Sequence, residues 1–255
     1  MSALPVLWQF RQSHYNDKVR WALDWKRLPH RRRSVVPGLH VPRIMWLTGQ
    51  RSVPVLVLGG TAITDSTRII EVLERLHPDP PLYPRDDAAQ RRALELEEFF
   101  DEELGPHLRR AWFHELLPDA DFSSALLAGG TSPLVQRLYR ALFPVVRQVM
   151  TVDMGIDAAG AERSRITMER ALDRLEAEIG DSGYLVGDGF TVADLTAAAL
   201  LYPIVLPPEF PYPIPAPLPT RAARFRDSLR GRRGFEWAAE MYRRHRGTSA
   251  EVSAQ

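Results

Sequence analysis

The chain has 255 residues, 45 % hydrophobic and 25 % charged, with 33 basic against 32 acidic side chains and a net charge of +1. This is the composition of a globular protein of one large or two ordinary domains, and the charge balance argues against nucleic acid or an anionic membrane as the main partner. Cysteine is absent, which excludes disulfides, Cys-based metal sites and any mechanism that uses a protein thiol.

Leu4 to Phe10 reads as a buried strand that runs through Arg11-Gln12-Ser13 into a helix over about 15–28. Tyr15, Val19, Ala22 and Leu23 recur on one helical face, and Leu28-Pro29 ends the run. Ser13 and the amides of Tyr15 and Asn16 therefore stand where strand becomes helix, a place with free N–H groups and partial positive charge. Ser13 has two readings there: an ordinary helix cap, or a hydroxyl beside amides that favour an anion or a thiolate. Arg31-Arg32-Arg33 reads as a solvated entry to a second strand over Arg33 to Val36, which Pro37-Gly38 closes. Residues 41–48 suit one or two helical turns ending at Gly49. Ser52 to Leu58, SVPVLVL, is a third strand; Gly59-Gly60 is a hairpin turn and Thr61 to Ile63 its partner strand. Asp65-Ser66 then precedes a helix that buries Ile69, Ile70, Leu73 and Leu76. Parallel strands joined by helices and followed by a hairpin predict a small mixed sheet over 1–78.

His77 to Asp86 holds four prolines and reads as a linker, with the boundary segment at 79–86. Beyond it strand patterns stop, and an all-helical domain is predicted over 87–246. A long helix over 87–115 would kink at Gly105-Pro106. Residues 118–132 read as loop or a short helix, and 133–150, 160–179 and 191–202 as further helices. Thr191-Val192-Ala193-Asp194 is a capping box, a structural feature rather than a catalytic one. Residues 203–219 hold eight prolines and are predicted to be neither helix nor central strand. They read as an extended loop packed on its own domain, with a proline-rich recognition ligand as the alternative. Two helices near 218–230 and 234–245 close the domain, and 247–255 is predicted to be a disordered tail. No signal peptide is visible, and no apolar run approaches the roughly 20 residues of a bilayer span, so a cytoplasmic protein is expected. His107 and His114 share a face without a third ligand at metal spacing, and no metal site is predicted.

In order and spacing, five pieces resemble the glutathione transferase family, serine or cysteine type: SHYNDKVRWAL after the first strand, SVPVL in the third, DS before the third helix, the proline-rich linker, and FTVADL. The resemblance covers nearly the whole chain. It implies a thioredoxin-like α/β N-terminal domain followed by an all-α helical C-terminal domain, glutathione as co-substrate, a small hydrophobic electrophile, and a homodimer. Aligned on Lys18-Val19-Arg20, it gives Ser13 the role of donating a hydrogen bond to the glutathione sulfur, with Tyr15 and Asn16 as rival donors. Gln9 stands where tyrosine-type relatives keep their catalytic Tyr. The resemblance also implies that Val53-Pro54 is a cis pair whose backbone holds the cysteinyl part, and that Asp65 and Ser66 hold the γ-glutamyl end. His40 and Arg51, with Arg43 competing, fall near the place of the glycyl carboxylate. Trp8, Tyr15, Trp112 and Phe113 are candidate walls of the electrophile pocket, each with core packing as the plainer explanation. The missing cysteines remove chemistry that needs a protein thiol; conjugation, thiol-dependent isomerisation or dehalogenation remain. A catalytically silent binding protein of this fold, and an enzyme using another small thiol, are the alternatives.

Overall fold

The structure, a computed structural model, describes residues 4–252. Its first part is a four-stranded sheet: β1 (Val6–Gln9), β2 (Arg31–Ser34), β3 (Val55–Leu58) and β4 (Thr61–Thr64), in spatial order β2-β1-β3-β4. β2 runs parallel to β1, as a strand returning through a helix must, while β3 and β4 are antiparallel neighbours. Gly59 and Gly60 both have positive φ, 58° and 86°, which is what the two-residue hairpin between β3 and β4 requires of them. The connecting helices are α1 (His14–Trp25), α2 (Val41–Thr48) and α3 (Ser66–Leu76).

α1 is the element on which both halves of the molecule close. Val19, Trp21, Ala22 and Leu23 are wholly buried, and so are the polar Asn16, Asp17, Lys18 and Arg20. A helix buried on every side must find partners for its charges. Lys18 Nζ reaches Glu97 at 2.8 Å and Thr67 Oγ1 at 3.0 Å, and also contacts Asp101. Burial works against the ammonium, but the carboxylates of Glu97 and Asp101 outweigh it and hold its pKa above the ordinary value. On the other side Arg20 pairs with Asp17 at 3.0 Å and donates to Gln9 Oε1 at 2.8 Å.

Glu97 and Asp101 belong to the helical half, which comprises α4 (Asp87–Phe99), α5 (Gly105–Leu116), α6 (Ala120–Leu127), α7 (Pro133–Met154), α8 (Ala158–Glu178), α9 (Val192–Val205), α10 (Thr220–Leu229) and α11 (Arg233–His245). Between α4 and α5 the chain widens into a π-helical turn, Phe100–Leu104, just before Gly105-Pro106. Proline cannot donate to the ladder and its ring crowds the preceding turn, so the wider turn takes the place of the predicted kink. α9, buried along its whole length, is the core of this half and packs directly on α1 and α11. The capping box at Thr191 is present, and the Asp194 carboxylate also accepts the Leu185 amide at 2.9 Å.

Three readings are corrected. α9 runs through Pro203 to Val205, because Pro203, Ile204 and Val205 are all buried and that packing outweighs the roughly 3 kcal/mol cost of a helical proline. Arg32 is not solvated: it lies inside, its guanidinium on both oxygens of Asp24 at 2.8 and 2.7 Å, while Arg31 and Arg33 point outward as strand alternation demands. The end of the chain up to Val252, though mostly exposed, is held by hydrogen bonds rather than disordered. Arg246 donates to Asp24 at 2.7 Å, the Ala250 amide to the same carboxylate at 2.8 Å, and Glu251 bridges to His30. Residues 253–255 of the predicted tail lie outside the described residues.

The outer side of α7 is unusual. Leu134, Leu138, Leu142, Val145, Val149 and Val152 form an apolar stripe at four-four-three-four-three spacing, each between 53 % and 72 % exposed. The inner side of the same helix, Tyr139 and Phe143, is buried against Leu117, Ala128 and Ile156.

Removing the Lys18 ammonium should leave two carboxylates under α1 without a counter-charge. Lys18→Met is expected to lose about 3–5 kcal/mol of stability in urea unfolding, and Lys18→Met/Glu97→Gln to recover part of it. A midpoint unchanged in the single variant would show that the clasp does not hold the two halves together.

Candidate functional site

Sheet topology brings four segments to one end of the first domain. β1 runs toward Ser13. β3 is antiparallel to it, with Val55 opposite Trp8, so Ser52-Val53-Pro54 enters at the same end. β4 is antiparallel to β3, with Thr64 opposite Val55, so it delivers Asp65-Ser66 there too. The Val53–Pro54 bond is cis.

Ser13 is the N-cap of α1, in extended conformation, and its Oγ accepts the Asn16 amide at 3.4 Å. That bond uses the oxygen as acceptor, so the hydroxyl can still donate its proton to a ligand; capping and donation are compatible in one side chain. Tyr15 differs. Its hydroxyl donates to the Asp101 backbone carbonyl at 2.7 Å, and a Cβ on Gly105 would lie 2.3 Å from that oxygen, so glycine is needed for the ring to dock on the π turn. Burial, with Asp101 close by, pushes the Tyr15 phenol well up. Its ring faces the cleft while its hydroxyl holds the domains together. Asn16 is buried with both side-chain polar atoms unpartnered, and it does not reach the cleft wall. Gln9 Nε2 donates to the Tyr212 hydroxyl and belongs to the scaffold.

A cleft of about 330 Å³ opens beside Ser13, between the sheet end and the helices. The first domain contributes His14, Tyr15, His40, Arg51 and Val53, and α5 contributes Arg109, Trp112 and Phe113. Trp112, Phe113 and Tyr15 line this cleft. Trp8 does not: its ring lies under the guanidinium groups of Arg33 and Arg43, at 5.3 and 5.1 Å, away from the cleft, because its partner strands turn it to the other face. Arg43 also covers Trp46 and is no part of the wall. Pro54, Asp65 and Ser66 stand outside the cavity walls, at the sheet end next to it. Asp65 caps α3 by accepting the Arg68 amide at 3.0 Å, in a left-handed conformation (φ 73°), and Ser66 opens the helix. Such a helix start offers free amides to a carboxylate. His40 Nε2 lies 2.9 Å from the Arg51 carbonyl, and the Arg51 guanidinium is paired with Asp153 of α7 at 3.0 Å across the cleft mouth.

Several walls were invisible to sequence reasoning. The proline-rich segment straps the cleft shut on one side: Leu206, Ile214 and Leu218 face into it, Gln12 donates to the Pro213 carbonyl at 3.2 Å, and Arg20 lies 5.0 Å over the Tyr212 ring. The segment is a packed loop, but it packs across both domains rather than on its own alone, since Gln9, Gln12 and Arg20 of the first domain all meet it. α6 and α7 supply Phe122, Leu126, Met150 and Met154. The loop at Gly130 rests on Arg11, so closely that a Cβ there would overlap the guanidinium. His14 and Arg109 line the cleft as well, and no periodicity marks either. His14 is 3 % exposed with Nε2 unpartnered; burial first, then the nearby Arg109 charge, lowers its pKa to about 3. Among the described residues no group of three or more His, Cys, Asp or Glu could hold a metal ion, and no helix is long and apolar enough to cross a membrane.

Residues 7–81 match the family model "Glutathione S-transferase, N-terminal domain", and 158–227 match "Glutathione S-transferase, C-terminal domain". The chain belongs to the glutathione S-transferase family and is a glutathione transferase-like enzyme with a thioredoxin-like first domain and a helical second one. It is 26 % identical over 200 residues, 78 % of each chain, to a Caenorhabditis elegans protein named "probable maleylacetoacetate isomerase". A Methylobacterium radiotolerans glutathione S-transferase solved with glutathione sulfonate is 25 % identical, with TM-score 0.55, covering 93 % of this chain and 95 % of that one. A glutathione transferase from Phanerochaete chrysosporium aligns over 100 % of both chains with TM-score 0.64 at 17 % identity, a likeness of fold. Between them the two family matches leave out residues 82–157, which carry α4 to α7.

The buried neutral His14 makes stability depend on pH. The unfolded chain takes up the proton near pH 6.5 and the folded one only near 3, so stability is full above 6.5 and falls as pH drops. His245, lowered to about 4 by burial and Arg244, acts in the same direction. His14→Asn should remove about 2–3 kcal/mol of the loss between pH 7 and 4.5, read from urea midpoints. An unchanged acid slope would mean that His14 is not held neutral by the fold.

Proposed function

We propose that the enzyme binds glutathione at the sheet end and activates its thiol with the Ser13 hydroxyl for attack on a small apolar electrophile. The observation that carries this reading is the convergence of Ser13, the cis Val53-Pro54 pair and the Asp65-Ser66 helix start at one edge of a cleft with apolar walls. In it the Val53 backbone holds the cysteinyl part, Asp65 faces the γ-glutamyl ammonium, and the Ser66 amide takes the neighbouring carboxylate. His40 and Arg51 serve the glycyl end, Arg51 keeping Asp153 on one terminal nitrogen, at 3.0 Å, and turning the other to the ligand. The thiol proton leaves to solvent, and the Ser13 O–H and the α1 amides stabilise the thiolate. The sulfur pair then forms a C–S bond while a leaving group departs with its own bonding electrons. The relative named as an isomerase favours a second reading for the same thiolate. There it adds to a carbon–carbon double bond conjugated to a carbonyl, whose oxygen takes the displaced pair as an enolate; the new single bond turns, and the enolate pair re-forms the double bond as the sulfur leaves with its own electrons. A cytoplasmic location belongs to this proposal, since reduced glutathione is maintained there.

A hydrogen bond to a charged group is worth about 1.5–3 kcal/mol, one to two pKa units. Ser13→Ala should therefore raise the thiol pKa of bound glutathione by about that much, read from thiolate absorbance, and cut conjugation near pH 6.5 by roughly ten- to hundredfold. Asp65→Ala should weaken glutathione binding instead. An unchanged thiol pKa in Ser13→Ala, with loss in Tyr15→Phe, would transfer the role to Tyr15.

The homodimer is proposed on the outer side of α7. From Leu138 to Val152 the apolar residues follow a heptad repeat, and the flanking Leu134, Ala141 and Gln148 carry no charge. Two copies packed antiparallel would pair Leu142 with Val145 and Leu138 with Val149 across a two-fold axis, a self-complementary fit. Sedimentation should show a dimer that Leu142→Glu/Val149→Glu converts to monomer. A monomeric native protein, or a dimer that survives the double change, would contradict it.

A further inference from the structure

Arg109 stands on α5, one turn before Trp112 and Phe113, and faces the cleft. It is in no salt bridge among the described residues, and its Nε is buried without a hydrogen-bond partner. His14, on α1 beside Ser13, lines the same cleft but is almost wholly buried, and its Nε2 is enclosed without a hydrogen-bond partner. Both residues line the cleft that Ser13 opens on. The surrounding wall is apolar: Trp112, Phe113, Phe122, Leu126, Tyr202 and Ile214. Asp153, the carboxylate on the cleft wall, is occupied by Arg51.

An apolar ligand that filled this cleft would strip water from the guanidinium and give nothing back, a loss that desolvated donors impose on any ligand unable to pair them. A carboxylate answers the guanidinium: its two oxygens match the fork of Arg109, whose terminal nitrogens are in no hydrogen bond or ion pair among the described residues. From this we infer that the electrophile carries a carboxylate on an apolar or aromatic body, read by Arg109 in the cleft that Ser13 opens on. The inference rests on the proposed glutathione reading, and it narrows the acceptor from any small hydrophobic electrophile to an acidic one. Arg109 is then a specificity residue for the second substrate and makes no contact with glutathione.

The test compares two aryl electrophiles that differ in one group, 4-chloro-3-nitrobenzoate and 4-chloro-3-nitrobenzamide, each corrected for its uncatalysed rate with glutathione. The native enzyme should prefer the benzoate by roughly ten- to hundredfold in kcat/KM, the range for hydrogen bonds to a charged group. Arg109→Gln should abolish that preference through KM for the benzoate, leaving the benzamide and the glutathione affinity unchanged, and Arg109→Lys should restore part of it. A native enzyme indifferent to the carboxylate overturns the inference. So does an Arg109→Gln variant that slows both substrates alike and raises the thiol pKa, since Arg109 would then serve the sulfur. Should neither compound be turned over, calorimetric titration with 3-nitrobenzoate separates the two ideas. Binding that depends on Arg109 keeps the carboxylate site and removes the conjugation reading, whereas no binding removes both.

Discussion

The structure depends on how α1 is buried. Its N-terminus must face the cleft to present Ser13, yet its body carries Asp17, Lys18 and Arg20 into a place with no water. Glu97 and Asp101 answer Lys18 from the helical half, and Asp17 answers Arg20 with help from the Tyr242 hydroxyl. These pairs add little net stability compared with apolar packing, because desolvation consumes most of the attraction. What they give is register: an ammonium that must meet two carboxylates and a threonine accepts one rotation and one depth of α1. The π turn at Phe100–Leu104 is part of the same fitting, since it presents Asp101 to both Lys18 and Tyr15.

Once α1 is set, the cleft follows. The sheet end is built by the first domain alone, but the second wall comes from α5, the strap and the α6–α7 hairpin, and each is tied back to the region around Ser13. Arg11 carries the Gly130 loop and Tyr212, Gln12 holds the strap, and Arg51 meets Asp153. In the proposed reading, thiol activation falls to the first domain, and most of the wall that meets the second substrate to the second. The first domain offers amides and a hydroxyl suited to a peptide thiol. The second, outside the matched family segments for α6 and α7, offers apolar walls and the single guanidinium of Arg109.

Local signals in the sequence were readable where the physics is local. Strand-to-helix spacing located Ser13; the Gly59-Gly60 pair located the hairpin; Thr191 and Asp194 announced α9; Asp65 before an apolar run announced α3. The roles proposed for Val53-Pro54, Asp65 and Ser66 come only through resemblance and order. Trp8 was misplaced because a strand pattern says which residues alternate but not which face a distant helix will cover. Arg32 and the end of the chain were misread for a similar reason: both find Asp24, and nothing near either in sequence points to it. His14, Arg109 and the inward side chains of the strap could not be found, since their meaning comes from contacts between segments roughly 100 to 200 residues apart. The proline count marked the strap as neither helix nor sheet; which side chains it turned inward was a matter of tertiary packing.

The central claim is that a peptide thiol lies against the start of α1 with Ser13 as its donor. Crystals of the native protein grown with glutathione test it most directly. The sulfur should lie about 3–3.5 Å from Ser13 Oγ, with the peptide backbone along Val53 and its γ-glutamyl end at Asp65 and Ser66. A sulfur directed at Tyr15 or beyond reach of Ser13, or a tripeptide lodged elsewhere in the cleft, would contradict the account.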